Sequence, residues 1–351
     1  MPTPDQRRDT PQTRRRLNRR QWLSHSLLAG AACSLASGCV PMGSGDVPDL
    51  VWGRRGQSDG RFLKPRAITI DRRDRLYIVD TTGRIQVFDA DGNQQRVWKT
   101  PETANGRPTG LSIRYADNID DDCLLVADTH YYRTLVYTLQ GELLPEQQIG
   151  GTPGQEPGQF AFVTEAVCDH DGCYYIGEYG DSDRIQKFDP DRRFMTQWGG
   201  TGRERDKFVR PQSLIVEKNV LWVADACNHR IKRFDITTPT PSLIDVWGGS
   251  GDGSTAGPSD GPSDGPGDGP GEYSYPYDIA LASDGSLLVC EYGNQRIQRI
   301  SPDGEPISIW GGPGFQPGQL YQPWGLVIDS LNRVHVLDSN NHRVQRYSLK
   351  V

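Results

Sequence analysis

The sequence has no apolar run long enough to cross a bilayer; the nearest approach, residues 21 to 39, is short and too polar to be a stable span. It lacks a positive balance, with 39 Lys and Arg against 45 Asp and Glu for a formal charge of -6. Nucleic-acid binders carry a basic patch or stripe, so that class loses weight. There are only six histidines in 351 residues, and His130, His229 and His342 stand too far apart in the repeat pattern to share one metal ion. The stretch ADACNHRIKRF, Ala224 to Phe234, gathers residue types used by catalytic sites, yet it is not unique, which argues against a reaction centre there.

What is present begins with a processing signal. Seven arginines fall within residues 1 to 20, ahead of a weakly apolar segment. Asn18 to Ser24, NRRQWLS, resembles a twin-arginine export motif, with Trp22 where phenylalanine is usual. Leu35 to Cys39, LASGC, resembles a bacterial lipoprotein box, which implies lipidation of Cys39 after removal of residues 1–38. Loss of those residues takes the formal charge to -11. The resemblance implies an exported chain held by acyl chains on a membrane facing the periplasm or exterior, with 39–48 as a linker.

Residues 49–351 are a repeat. An acid, a polar turn, an arginine and strand-forming residues recur six times: the acids are Asp80, Asp128, Glu178, Asp225, Glu291 and Asp338, and the arginines Arg84, Arg133, Arg184, Arg230, Arg296 and Arg343. Successive acids lie 47 to 50 residues apart, except for 66 between Asp225 and Glu291. Each unit adds an apolar run that usually starts at proline and, at its end, a Trp-Gly or related pair. Asp-Gly turns divide it into four short strands, the size and content of a propeller blade. The expected fold is all-β: a six-bladed β-propeller of four-stranded antiparallel blades, closed by an N-terminal strand joining the last blade. A group needed in every blade builds the ring, so the acids and arginines are expected to bond turn backbone and each other.

These elements resemble the NHL-repeat family of six-bladed propellers, over nearly all of Leu50 to Val351. The resemblance implies chemistry, if any, where a blade departs from its pattern. Two positions after the strand-one proline, four blades carry a small residue, but the others have Glu165 and Asp278. One position after it, Arg66, Gln212, Tyr277 and Trp324 face the same channel mouth. Two readings follow. The mouth binds an envelope protein, peptide or glycan, in a chain expected to be monomeric and not to take nucleic acid. Alternatively, by analogy with lactonases and lyases of related propellers, Glu165 and Asp278 hold a divalent cation such as calcium or act as acid and base. Residues 249–271, rich in Gly, Asp and Pro, read as an inserted loop. Cys168 and Cys173 flank a hairpin turn and come within disulfide reach if the register allows.

Overall fold

The computed structural model describes residues 47–248 and 265–349. The export signal, Cys39 and most of the inserted loop lie outside the described residues. Six four-stranded antiparallel sheets form the blades. Blade 1 runs from Pro65 to Lys99, blade 2 from Gly110 to Gly150 and blade 3 from Phe162 to Gly199. Blade 4 runs from Pro211 to Gly248 and blade 5 from Pro276 to Gly311. Blade 6 takes three strands from Gly325 to Ser348, and its outer strand is Leu50–Trp52, paired antiparallel as Leu50 with Arg346 and Trp52 with Val344. The ring is thus closed by both ends of the repeat.

Both faces of each blade are covered, and the apolar core accordingly lies between blades. One cluster joins Tyr77, Val79 and Ile85 of blade 1 to Leu111, Leu124 and Leu135 of blade 2. Five equivalent clusters follow around the ring, the last joining Leu337 and Val344 of blade 6 to Ile68 and Ile78 of blade 1. Phe62, Phe160, Phe208 and Leu320, each fully buried in the loop between two blades, complete these clusters. Packing between repeats explains why the ring is one cooperative body although its sheets are separate.

The repeat acids and arginines hold those loops. Asp225 accepts the Val209 N–H at 2.8 Å, Asn228 Nδ2 at 2.9 Å and Arg230 Nε at 2.8 Å. Arg230 in turn donates to the carbonyls of Arg203, Glu204 and Lys207. Equivalent bonds run from Glu291 to Ser274 N–H and from Asp338 to Tyr321 N–H, with Arg296 and Arg343 donating to loop carbonyls. The partner is therefore the loop arriving from the preceding blade, beyond the acid's own turn. Blade 2 differs: no loop N–H reaches Asp128, whose Oδ1 is buried without a partner.

A second set of latches crosses from each blade to the next. The residue just before the proline adopts a left-handed backbone at Lys64, Arg210, Tyr275 and Gln322. Its N–H is accepted by His342 Nδ1, Asp183 Oδ1, His229 Nδ1 and Gln295 Oε1 respectively. Each acceptor stands immediately before a repeat arginine. His229 and His342 are thus structural acceptors, and burial lowers the pKa of both.

Cys168 and Cys173 are free thiols, because the ladder sets Cys168 opposite Tyr174 and leaves Cys173 in the turn. The inserted loop is also smaller than residues 249–271. Gly267 to Tyr273 repeat the standard interblade loop, with Gly267 N–H bonded to Tyr273 O as Gly202 N–H is to Phe208 O. Arg296 holds this segment through Gly269 and Glu272 carbonyls.

Candidate functional site at the channel mouth

The first strands of the six blades ring the axis, and in blades 1, 3, 4 and 5 a bulge near the start of the strand turns the following side chains toward it. Glu165 and Asp278 line both the small recess on one side and the larger cavity on the other. Glu165 Oε2 accepts the Leu214 N–H of blade 4 at 2.8 Å. Asp278 Oδ1 accepts the Ser213 hydroxyl at 2.7 Å, and its Oδ2 accepts the Leu326 N–H of blade 6 at 2.8 Å. The two carboxylates converge around Ser213 and form a belt across blades 3 to 6. Neither is a solvated rim group, and neither forms an ion pair with Arg66 among the described residues.

Their surroundings favour the protonated forms. Burial pushes the Asp278 pKa up from 3.8 to about 7; burial and the nearby Asp278 push Glu165 well above the usual carboxylate range. Two like charges this close do not both ionise readily. A calcium ion needs six to eight oxygens, roughly. Here three of the carboxylate oxygens are already engaged, and no group of three or more His, Cys, Asp or Glu among the described residues is placed to hold a metal. The donor set does not fit a cation.

Below the belt the channel widens into a cavity of about 310 Å³ lined by Ile68, Leu111, Val167, Leu214, Ile279 and Leu326 among others. Above it lies a recess of about 20 Å³, the room of a single water, bounded by Arg66, Thr109, Gln212, Tyr277 and Trp324. The carboxylate belt separates the two. Gly325 keeps it in place, since a Cβ there would stand 3.1 Å from Asp278 Oδ2.

Around the recess, aromatic rings and arginines alternate. Tyr277 stacks on Tyr292 with centroids 4.6 Å apart, and Trp324 meets Tyr277 edge-on at 5.0 Å. The Arg66 guanidinium lies 5.5 Å from the Trp324 ring. Arg210 lies between Tyr179 at 4.6 Å and Tyr277 at 5.2 Å, and its Nε donates to Gln212 Oε1 at 2.8 Å. Gln212 and Tyr277 are the buried members of this layer, whereas Tyr275 and Tyr321 at its edge are exposed. Four of the six residues expected at the mouth therefore form one layer, and Glu165 and Asp278 form the floor.

Sequence reasoning overlooked Arg107, Arg210, Tyr179 and Tyr292. The arginines precede the proline rather than follow it. The tyrosines follow the repeat acid in blades 3 and 5, where other blades have Thr81, Thr129, Ala226 and Ser339. Comparing residues at that column would have found them.

Fold and site together define a six-bladed, all-β propeller with a closed ring of blades and an aromatic, arginine-bearing mouth. Residues 320–347, most of blade 6, match the NHL repeat model. The chain is 32% identical over 172 residues to NHL repeat-containing protein 3 of Mus musculus and 31% over 174 residues to that of Homo sapiens. Each match takes in 45% of this chain and 47% of the relative, so the chain spans about half the length of the curated relatives it matches. Protein lin-41 of Caenorhabditis elegans is 40% identical over 47 residues, 13% of this chain and 4% of that protein. Among solved structures, the WD40 propeller domain of Doa1 superposes with a TM-score of 0.52 at 13% identity, over 82% of this chain and 79% of that one. Streptogramin B lyase gives 0.52 at 15% identity over 85% and 86%. At such identities the likeness is one of fold.

Proposed function

We propose that this chain is an exported, lipid-anchored interaction module whose mouth face binds a protein, peptide or glycan of the cell envelope. The observation that carries the reading is the layer of Trp324, Tyr292, Arg66 and Arg210 at one end of the axis, since aromatic and arginine side chains dominate binding hot spots. The NHL repeat in blade 6 supports an interaction role. The placement of Cys39 in LASGC supports a lipid anchor. On this reading the belt of Glu165 and Asp278 is the floor of the site and carries no reaction.

Capture of envelope proteins by the purified propeller, with identified partners then titrated individually, tests the mouth. Trp324→Ala and Tyr275→Ala weaken a mouth-bound partner at least tenfold without changing the fold; unchanged affinity in both variants refutes the assignment. Cell fractionation tests the anchor: the wild-type chain partitions with membranes and Cys39→Ser releases it. Equal partition of the two removes Cys39 from the proposal.

A further inference from the structure

The mouth carries hydrogen-bond donors that no protein acceptor meets. Arg66 is half-buried, yet its guanidinium makes no hydrogen bond and no ion pair among the described residues; it lies over the face of Trp324 and feels the charges of Arg210 and Arg107. Arg107 spends two donors on the Thr81 and Gly106 carbonyls and Arg210 one on Gln212, and neither meets a carboxylate. Three guanidiniums thus share one face without a counter-charge, in a chain that is acidic as a whole. Like charges held close without a partner are unfavourable alone, and buried polar groups normally find partners.

From this arrangement we infer that the mouth is an anion-recognition site for a carboxylate carried on an acidic peptide segment, received by the Arg66 and Arg210 guanidiniums. This rests on the proposed mouth interface and names the chemistry it reads. Arginine presents paired donors that match a carboxylate, and the flanking Tyr292 and Trp324 rings offer apolar surface to the residues beside it. A carboxylate suits the site better than a phosphate because the recess has the room of one water, enough for a single carboxylate oxygen.

The test is fluorescence polarisation on the purified propeller, residues 40–351, with a labelled octapeptide containing two glutamates beside a tyrosine. The same peptide with glutamines and an eight-nucleotide oligothymidylate are the comparison probes. The acidic peptide binds, the glutamine peptide binds at least tenfold more weakly, and added salt weakens the acidic peptide. Arg66→Ala and Arg210→Ala each lose at least tenfold, with melting temperatures held as the fold control. Arg210→Lys, which keeps the charge, loses less than Arg210→Ala. Equal binding of the two peptides, tighter binding of the oligonucleotide, or full affinity in Arg66→Ala overturns the inference. If Trp324→Ala abolishes partner capture while both peptides bind alike, the mouth interface stands and the anion chemistry alone falls.

Discussion

At the scale of single residues, the repeat acids are chemically alike but energetically different. Asp225 is fully buried, contacts Arg230 at 2.8 Å and lies 3.3 Å from Lys232 Nζ. Burial lowers the Lys232 pKa to about 8, so its charge depends on that neighbour. Asp225→Ala leaves two buried cations and a loop N–H unpaired and costs about 3–5 kcal/mol in chemical denaturation. Asp128 holds only Arg133, which also reaches Glu102, and burial raises the Asp128 pKa to about 6. Asp128→Ala costs about 1–2 kcal/mol, and a loss equal to that of Asp225→Ala contradicts this account. The floor carboxylates titrate in the opposite sense to a salt-bridged acid. The raised pKa means the folded ring binds protons more tightly than the unfolded chain, so stability falls as pH rises from 3.8 through about 7. Glu165→Gln keeps an acceptor for Leu214 N–H and removes a group that must take up a proton on folding. It raises stability at neutral pH by on the order of 1 kcal/mol, about 2–4 °C in melting temperature, and flattens the profile over that window. A variant whose profile parallels the wild type would show that the floor does not titrate there.

At the scale of elements, the interblade loop is the unit that the repeat acid and arginine serve, and it makes the inserted segment removable. Trp198 and Phe208 stand 10 residues apart around WGGTGRERDKF, whereas Trp247 and Tyr273 stand 26 apart. Deleting residues 251–266 gives WGGSGDGPGEY, the same length, and keeps the Gly267–Tyr273 bond and the Arg296 contacts. The deletion changes stability by less than about 0.5 kcal/mol, since every anchoring bond seen among the described residues of this loop is kept; a large loss in a thermal melt places structural work within the segment. The strands and their order were legible in the sequence because one pattern recurs in all six blades. The belt was half legible: Glu165 and Asp278 stood out as departures from small residues, but one chain's pattern cannot say that a side chain reaches the N–H of the next blade. Arg107 and Arg210 were hidden because their column varies, and their meaning comes only from meeting Arg66 across different blades. Cys168 and Cys173 misled for a related reason: flanking a turn is a matter of spacing, while disulfide reach depends on register.

At the scale of the whole molecule, the mouth exists only while the ring is closed, because its parts come from separate blades. Arg66 belongs to blade 1, Arg107 to the loop before blade 2, Arg210 to the loop before blade 4 and Trp324 to the loop opening blade 6. Closure depends on Leu50–Trp52, the outer strand of blade 6, and on Arg346, which bonds Asp49 at 2.6 Å, Asp91 at 2.7 Å and the Ala90 carbonyl at 2.9 Å. That one side chain ties the first strand, the last blade and blade 1 together. Arg346→Ala, far from the mouth, therefore loosens the junction between blades 6 and 1, where Trp324 and Arg66 meet. Its exposed partners limit the direct cost to about 1 kcal/mol. Removing residues 47–53 instead strips an entire strand and leaves an unpaired edge in blade 6, so the melting temperature drops and size-exclusion chromatography shows association of open rings. Affinity for the acidic peptide falls in the truncated chain although every mouth residue is present. Full affinity after truncation would mean that each blade presents its mouth residues independently, and ring closure would then serve stability alone.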